Sequence, residues 1–411
     1  MQAEVINIGD ELLIGQVVNT NASWMARKLQ ISGISIRKNT VIRDEKQEIL
    51  EALDAAGTNS DVVLITGGLG PTRDDVTKHA LAEFFGSKLV FNKEVFSDIE
   101  RMFGQRERKI NELNRKQAEV PENCIPIRNK NGTAPGMWFE KDGCVYISLP
   151  GVPYEMKPMM KEFILPRLRK RFGIKPVVYK TILTMGMGES DLAQKIEPWE
   201  DSLPGHFSLA YLPQPAIVRL RVSAKGDDKK KLLHEIDEQI GKLRELIQDM
   251  IFGYDDQTLP GVVGELLRNK GKTLSTAESC TGGYLAHLIT GIPGSSDYYT
   301  GSVISYSNRI KEDHLGVEKE LLKQKGAVSR EVVTAMAEGV RRKFSTDFAL
   351  STSGIAGPAG GSPEKPVGTV WIGLASEDGT TSGLFHFGDN RERNIHVSAL
   401  HALYMLWRKL A

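Results

Sequence analysis

The chain has 411 residues, which at the usual size of about 150 residues per domain predicts two or three domains. Lys and Arg number 53 and Asp and Glu 52, so the basic excess that is typical of nucleic-acid-binding proteins is missing. Hydrophobic residues make up 40% of the chain, which is enough to fill real cores and excludes a disordered scaffold.

The cysteines, the histidines and the apolar runs indicate the compartment of the protein and the kinds of site it can contain. Three cysteines without a Cys-x-x-Cys pair fit a reducing compartment better than a disulfide framework. No apolar run approaches the ~18 residues of a membrane helix, and the first residues lack a secretory pattern. We therefore expect a soluble cytoplasmic protein. The eight histidines show no pair at helical ligand spacing, which argues against a histidine-rich zinc site.

Residues 1–170 alternate strand-like and helix-like segments. Residues 4–8 and 61–66 are apolar runs typical of buried strands, and each leads into a glycine-containing loop, the first of them at residues 9–15. Residues 21–32 have the apolar spacing of an amphipathic helix. This alternation predicts a parallel, doubly wound sheet, in which ligands bind at the carboxyl ends of the strands.

The second loop, residues 67–72, is rich in glycine and is followed by Asp74 and Asp75. Glycines let backbone amides approach a phosphate without interference from a Cβ atom. Two carboxylates beside such a loop suit a hard divalent cation such as Mg²⁺ or Mn²⁺. The alternative, which stays open, is that they only favour the N-terminus of the helix predicted from Lys78, where acidic side chains are common.

Four motifs in this order, IGDELL, TGGLGPTRDDVT, NGTAPG and LPGVPYE, resemble the N-terminal domain of the CinA (competence/damage-inducible protein A) family. That domain is similar to molybdopterin-binding proteins. The resemblance implies a divalent metal (Mg²⁺, Mn²⁺ or Co²⁺) and hydrolysis of ADP-ribose to AMP and ribose 5-phosphate, with pterin binding as the alternative. The residues that it implies around the diphosphate and its metal are Asn21, Gly67, Gly68, Gly70, Thr72, Thr77, Gly132 and Thr133, and Asp10, Asp74 and Asp75.

Residues 171–253 predict a small α+β domain. The segment contains a strand-like run, a turn with Ser190 as the cap of a following helix, and a strictly alternating half-exposed strand. It resembles the KH-like middle domain of CinA proteins in topology only. Near-neutral charge favours a spacer or a dimerisation role over nucleic-acid binding, and we expect a homodimer. One face of its long helix, which begins at Asp227, carries Leu232, Leu233, Ile236, Ile240, Leu243 and Ile247.

Residues 254–411 begin with a polar linker and contain the motif TAESCTGG at residues 276–283. An apolar segment before it and another after it predict a strand, a sharp turn and a helix, with Ser279 at the turn. The first N–H groups of a helix favour an anion. A serine held there can be a nucleophile, a phosphate ligand or only a helix cap, and caps are the commonest of the three.

Candidate partners of Ser279 follow downstream. Residues 298–307 predict a strand and residues 308–315 a helix, which places Tyr306 at the end of the strand and Lys311 in the first helical turn. An amine in such a position can have a lowered pKa and act as a base. The three side chains are therefore a candidate nucleophile, relay and base that needs neither histidine nor metal. The alternative is a surface lysine and a core tyrosine.

A further glycine loop, residues 353–361, follows a predicted buried strand and offers amides to a phosphate or an oxyanion. Arg391 and Arg393 stand at the start of the last helix, where the helix dipole disfavours cations. An arginine placed there can bind an anion such as a substrate phosphate. The alternative is an exposed ion pair with Asp389 or Glu392.

The motifs TAESCTGG, SYSNRIK, SGIAGP, GTVW and GDNRERN together resemble the C-terminal domain of the CinA family, which is similar to nicotinamide mononucleotide deamidases. The implied reaction converts nicotinamide mononucleotide and water to nicotinate mononucleotide and ammonia without a cofactor. Ser279 would be the nucleophile, assisted by Tyr306 and Lys311. Asn390 separates Asp389 from Arg391, where many relatives read Gly-Asp-Arg, so the arginine that reaches the phosphate stays open. The implied substrate-binding residues are Thr281, Gly282, Gly283, Ser353, Gly354, Thr369 and Arg391.

These observations favour a bifunctional enzyme of pyridine-nucleotide salvage with α/β architecture. Its domains would span residues 1–170, 171–253 and 254–411, and its partners would be small nucleotides rather than membranes or nucleic acid. The competing hypothesis is a non-enzymatic nucleotide- or pterin-binding accessory protein in competence or the response to DNA damage. That role needs a partner surface, and no basic stripe or exposed apolar run in the sequence marks one.

Overall fold

The computed structural model describes residues 1–72, 75–105 and 110–411. The chain forms two compact units, of which the first contains residues 1–178 with 225–230 and the second contains residues 179–224 with 231–411. In the described residues, no helix combines the length and the apolar character that crossing a bilayer requires.

The first unit is built on a six-stranded sheet. The strands of the whole unit, six of which form this sheet, are β1 (Gln2–Ile8), β2 (Ser35–Ile42), β3 (Val62–Thr66), β4 (Leu89–Phe91), β5 (Glu119–Pro121), β6 (Ile125–Ile127), β7 (Gly136–Lys141) and β8 (Cys144–Leu149). Its helices are α1 (Asp10–Leu13), α2 (Thr20–Ile31), α3 (Lys46–Asn59), α4 (Thr77–Phe84), α5 (Lys93–Gln105), α6 (Glu112–Lys116), α7 (Pro153–Met159) and α8 (Leu165–Phe172). The sheet order is β2-β1-β3-β8-β7-β6, and β4 pairs with β5 in a separate ribbon.

Helices cover both faces of this sheet. Because successive side chains of a strand point to opposite faces, Val62 and Leu64 pack with α2, α7 and α8, whereas Val63 and Ile65 pack with α3 and α4. The predicted doubly wound sheet is therefore confirmed. Four strands are parallel, and the sequence did not predict the two antiparallel strands, β7 and β6, at one edge.

The predicted loop at residues 9–15 contains the short helix α1. Asp10 and Glu11 occupy its first turn, where the helix dipole favours acidic side chains. The structure therefore corrects the prediction of an irregular loop at this strand end. The strand and helix predictions on either side of it, now β1 and α2, are confirmed within one or two residues.

The middle segment forms a four-stranded sheet with two helices. These elements are β9 (Val177–Met185), α9 (Glu189–Asp201), β10 (Phe207–Gln214), β11 (Ile217–Lys225), α10 (Lys229–Ile247) and β12 (Ile251–Tyr254), and the sheet order is β10-β11-β9-β12. Two details of the prediction are wrong. Gly188, not Ser190, is the N-cap of α9, because the helix begins two residues earlier, and no side chain caps it. Leu233 is exposed rather than part of the buried face of α10.

The C-terminal segment is a five-stranded sheet with six helices. They are α11 (Leu259–Asn269), β13 (Leu274–Glu278), α12 (Tyr284–Thr290), β14 (Tyr299–Ile304), α13 (Asn308–Leu315), α14 (Lys319–Lys325), α15 (Arg330–Phe344), β15 (Phe348–Gly354), β16 (Thr369–Ser376), β17 (Gly379–His386) and α16 (Arg391–Leu410). The order β14-β13-β15-β16-β17 puts β13 between two parallel neighbours, and β16 and β17 are antiparallel. A strand, a turn and a helix are thus present around Ser279, as β13, residues 279–283 and α12. The apolar segment before the motif, residues 262–267, lies in the helix α11 and not in a strand.

Candidate functional site

Three segments of the C-terminal sheet meet beyond the carboxyl ends of its parallel strands. Ser279 follows β13, Ser305 follows β14 and Thr352 lies near the end of β15. The backbone N–H of Ser279 donates to the carbonyl of Thr352 at 2.9 Å, and the N–H of Ser305 donates to the carbonyl of Glu278 at 2.8 Å. Residues that are distant in sequence come together here because the carboxyl ends of parallel strands share one edge.

Lys311 brings its amine to the hydroxyl of Ser279. The distance from Nζ to Oγ is 3.1 Å, and Nζ also donates to the carbonyl of Ser305 at 2.7 Å. The lysine is only 1% exposed, and burial lowers its pKa below the ordinary value because desolvation disfavours the ammonium. A nearby Cys280 thiol acts weakly in the opposite direction. The alternative of a surface lysine is thereby excluded.

The turn after Ser279 is organised by Glu278, to which the sequence analysis gave no role. Its carboxylate accepts from the N–H groups of Gly283 at 2.9 Å, Leu285 at 3.0 Å and Ala286 at 2.8 Å. The N–H of Gly282 donates to the carbonyl of Ser279 at 3.2 Å. The amides of both glycines are therefore engaged, and a substrate phosphate would have to displace Glu278 to reach Gly283. An acidic residue just before a helix start was the available signal.

Tyr306 pairs with Arg391 rather than with the serine and lysine. One guanidinium nitrogen of Arg391 donates to the Tyr306 hydroxyl at 3.1 Å and the other to the carbonyl of Gly357 at 2.7 Å. Within the described part of the chain, no hydrogen bond joins Tyr306 to Ser279 or Lys311. The backbone N–H of Arg393 donates to the Asn390 side chain at 2.8 Å. Which of the two arginines binds a substrate phosphate stays a prediction.

The remaining predicted hydroxyls make bonds within the protein. Thr281 Oγ1 lies 2.7 Å from both the Glu278 carboxylate and Thr352 Oγ1. Ser353 Oγ donates to a backbone carbonyl of another loop at 2.7 Å, and Thr369 Oγ1 lies 3.4 Å from a histidine ring nitrogen. At Gly354 an added Cβ would lie 2.7 Å from the carbonyl of Thr369, so the two strands approach closely. Substrate binding by these residues stays a prediction.

A cavity of about 610 Å³ lies beyond the carboxyl ends of β1, β3 and β8 in the first unit. This volume falls in the range of small-molecule sites. Six of the residues predicted around the diphosphate and its metal line it, namely Asn21, Gly67, Gly68, Gly70, Thr133 and Asp75. Asp74 lies outside the described residues, and the described side chains that line the cavity do not include Asp10, Thr72, Thr77 or Gly132.

Asp75 closes the glycine loop of this cavity. Its carboxylate accepts from the N–H of Gly70 at 2.8 Å, from the N–H of Thr72 at 3.1 Å, and from the Thr72 hydroxyl. A carboxylate offers roughly four acceptor positions, so three are already used. This side chain therefore fixes the end of the loop at Gly70 and Thr72.

Sequence reasoning missed three carboxylates that line the cavity, Glu11, Asp44 and Glu155. Asp44 follows β2, the parallel neighbour of β1, and the position of a carboxylate after a parallel strand was the signal that could have found it. Glu155 accepts from the amide of Asn129 at 2.7 Å, and burial raises the pKa of its carboxyl group. Asn129 in turn holds the NGTAPG loop by accepting from the N–H of Gly132 at 2.9 Å.

The side chains that line the cavity fit a hard divalent cation only if a bound diphosphate supplies further oxygen ligands. No group of three or more His, Cys, Asp or Glu side chains that could hold a metal ion occurs among residues 1–72, 75–105 and 110–411. Mg²⁺ usually takes one or two carboxylates and completes its shell with water and substrate phosphates. Carboxylates beside a glycine loop therefore fit a metal that arrives with a diphosphate.

Comparison with known proteins gives consistent matches along the chain. Its residues 4–170 match the family described as "Probable molybdopterin binding domain", residues 179–253 the "Damage-inducible protein CinA KH domain", and residues 256–410 the "CinA C-terminal domain". The crystal structure of competence/damage inducible protein CihA from Agrobacterium tumefaciens is 39% identical and covers 36% of this chain and 91% of its own, with a TM-score of 0.36.

Two full-length relatives are similar throughout. A CinA-like protein of Cytophaga hutchinsonii is 45% identical over 408 residues, which are 99% of this chain and 98% of the relative. A CinA-like protein of Flavobacterium psychrophilum is also 45% identical, over 100% of this chain and 99% of the relative. Because such relatives span the whole chain and all three family matches occur in order, the protein belongs to the CinA family.

Proposed function

We propose that the C-terminal domain hydrolyses the amide of nicotinamide mononucleotide to nicotinate mononucleotide and ammonia. The observation that carries the proposal is the buried amine of Lys311, 3.1 Å from the hydroxyl of Ser279. A serine hydroxyl is a weak nucleophile unless a base removes its proton. The lowered pKa of Lys311 increases the fraction of neutral amine that can do so near neutral pH.

The reaction would proceed through an ester on Ser279. The neutral amine of Lys311 takes the hydroxyl proton while Oγ forms a bond to the amide carbon. The resulting ammonium returns the proton to the leaving nitrogen, the C–N bond breaks and ammonia departs. Water, deprotonated by the same amine, then attacks the ester, and Oγ leaves with the proton. Each step balances with water as the only co-reactant.

Charge stabilisation would come from the turn and from Arg391. The N–H groups of Cys280 and Thr281 donate to no backbone carbonyl within the described residues, so they are the candidate donors to the oxyanion. Arg391 has five N–H donors, of which two are used by Gly357 and Tyr306. The others would bind the substrate phosphate, with Tyr306 and the Gly357 carbonyl fixing the orientation of the guanidinium.

Ammonia release tests this proposal. The purified chain, incubated with nicotinamide mononucleotide, should form ammonia and nicotinate mononucleotide in equal amounts, and Ser279→Ala should abolish both. Ser296→Ala removes an exposed serine of the same domain and should leave the rate unchanged, which controls for the loss of a hydroxyl as such. Undiminished ammonia release by Ser279→Ala would remove the serine from the nucleophile role.

For the N-terminal domain we propose metal-dependent hydrolysis of ADP-ribose to AMP and ribose 5-phosphate. The supporting observation is a cavity that combines the glycine loop at residues 67–70 with the carboxylates of Asp44 and Asp75. These two carboxylates would hold the divalent cation, which when bound supplies positive charge to the diphosphate. The chain's own amides at Gly67 and Gly68 would orient the phosphates. Phosphate-ester products that appear at the same rate under strong chelation would contradict this assignment.

A further inference from the structure

Glu278 is a buried carboxylate that the proposed reaction does not use. It ends β13, directly before Ser279, and is 0% exposed. Burying a carboxylate is strongly unfavourable unless it is neutralised or fully hydrogen-bonded. Within the described residues no lysine, arginine or histidine forms an ion pair with it, so its stabilisation must come from hydrogen bonds.

Four donors surround this carboxylate. One oxygen accepts from the Thr281 hydroxyl at 2.7 Å and from the N–H groups of Gly283 at 2.9 Å and Leu285 at 3.0 Å. The other accepts from the N–H of Ala286 at 2.8 Å. These amides are the first donors of α12, which have no partners within the helix. The carboxylate therefore takes the position at the helix start that the sequence analysis left to a phosphate.

The same contacts hold the nucleophile turn from both sides. Thr281 Oγ1 also bonds Thr352 Oγ1 at 2.7 Å, and the N–H of Ser279 donates to the carbonyl of Thr352 at 2.9 Å. The Glu278 carbonyl accepts the N–H of Ser305 at 2.8 Å, and the carbonyl of Ser305 receives the amine of Lys311. Glu278 thus connects the turn that carries Ser279 to the end of β14, where the carbonyl of Ser305 accepts from the amine of Lys311.

We propose that Glu278 is a positioning residue that fixes Ser279 against Lys311 by binding the start of α12, and this inference rests on the proposed deamidation. Its carboxylate forms no hydrogen bond with the hydroxyl of Ser279 or the amine of Lys311, both of which are described residues, so it acts through the turn. Because the Glu278 carboxylate occupies the start of α12, the substrate phosphate would be bound by Arg391 and not by the helix start.

Substitution of Glu278 tests the inference through kcat. Misplacing a reacting group by about 1 Å can lower a rate about 100-fold, so Glu278→Ala should lose about 100-fold in kcat. Glu278→Gln keeps the shape of the side chain and most of its acceptor contacts, but it places an amide N–H₂ group against a backbone N–H donor. We therefore expect its kcat to fall about tenfold. KM should stay within about twofold, because a positioning effect changes the transition state rather than substrate binding. The pH dependence of kcat should stay unchanged, because the base that determines it is Lys311.

Covalent labelling separates failure of this inference from failure of the proposed function. An aryl sulfonyl fluoride reacts with an activated serine, and peptide mapping reports its attachment to Ser279 without any nucleotide. Glu278→Gln should slow that labelling by the same factor as kcat, while Glu331→Gln, which removes an exposed glutamate from the first turn of α15, should not. If the wild-type chain releases no ammonia but Glu278→Gln is still labelled more slowly than the wild type, the inference about Glu278 stands and the proposed deamidation is rejected.

Three results would overturn the inference. The first is unchanged kcat and unchanged labelling in folded Glu278→Gln. The second is a rise in KM at constant kcat, which would indicate substrate binding. The third is a shifted pH profile, which would indicate that Glu278 itself titrates in the reaction. Glu278→Gln decides these points even if the larger truncation to alanine prevents folding, and thermal unfolding of each variant shows which case applies.

Discussion

At the scale of single residues, Lys311 has the environment of a base rather than of a structural cation. Lys311 is 1% exposed and makes no ion pair within the described residues, and this burial lowers the pKa of its amine. The sequence predicted its place in the first turn of α13 but not its burial. Periodicity shows which face of a helix is apolar, whereas the depth of a polar side chain depends on the sheet it packs against.

Replacing this lysine by a residue of similar shape should separate stability from activity. Lys311→Met should lower ammonia release by about 10²–10⁴-fold, the usual contribution of a general base. It should also raise the melting temperature at pH 7, because the unfolded lysine is protonated and solvated while the folded one is desolvated. Calorimetry and the ammonia assay check both effects. A lower melting temperature with retained activity would contradict the assignment.

The pH dependence of kcat/KM should report the same amine. The reaction needs neutral Lys311, so the rate should rise with pH and level off above a pKa that lies below the ordinary 10.5. Below that pKa the ammonium cannot accept the serine proton, and activity should fall about tenfold per pH unit. Lys311→Arg fixes the charge and should be inactive throughout. A profile that is flat from acid to pH 9 would exclude the lysine as base.

At the scale of elements, the site depends on strand ends and the turns that follow them. The pattern of strand, turn and helix around Ser279 was predictable because glycines and apolar runs mark it locally. The place of Asp44 at the cavity was not found, because it depends on the pairing of β2 with β1, which only the folded sheet shows. Glu278 was missed although the donors to its carboxylate lie only three to eight positions along the chain. The pairing of Tyr306 with Arg391 spans 85 positions in sequence and has no local signal.

Gly67 tests the role of such a turn in the first unit. Its φ is +113°, and an added Cβ would lie 2.1 Å from the carbonyl oxygen of Ile8 on the neighbouring strand. Gly67→Ala should therefore destabilise the unit by about 3 kcal/mol or more, since backbone strain alone contributes about 1–3 kcal/mol. Urea unfolding measures the change. Loss of ADP-ribose hydrolysis should accompany it, while ammonia release should remain.

Gly86 offers a matched control for that substitution. It also has a positive φ, +58°, but an added Cβ would meet no heavy atom within 4 Å. Gly86→Ala should therefore lower the free energy of unfolding only by the cost of the left-handed conformation, about 1 kcal/mol. Equal effects of the two substitutions would show that the close approach of Gly67 to β1 does not contribute.

At the scale of the whole molecule, each compact unit has its own core and its own candidate site. The middle segment shares a core with the C-terminal segment, because Leu183, Met185 and Phe252 cluster with α11 and α16. The sequence predicted the fold classes and their order, since motifs and periodicity are local properties. It could not show this shared core, because an apolar face does not reveal which partner covers it.

Separate sites predict separable activities. Asp75→Asn should abolish ADP-ribose hydrolysis, because the variant loses both a charge and an acceptor of the Gly67–Gly70 loop, and should leave ammonia release unchanged. Ser279→Ala should have the reverse effect. A chelator should act like Asp75→Asn. Assays of both products on the same preparations check these outcomes, and joint loss of both activities in either folded variant would contradict independent sites.

The most direct measurement is to trap the ester during turnover. Acid quenching of the wild-type chain with nicotinamide mononucleotide, followed by peptide mapping with mass spectrometry, should find the nicotinoyl mononucleotide group on the peptide that contains Ser279. Ser279→Ala should carry no adduct, and Lys311→Met should accumulate it far more slowly. An adduct on another residue, or rapid ammonia release by the Ser279→Ala variant, would contradict the account.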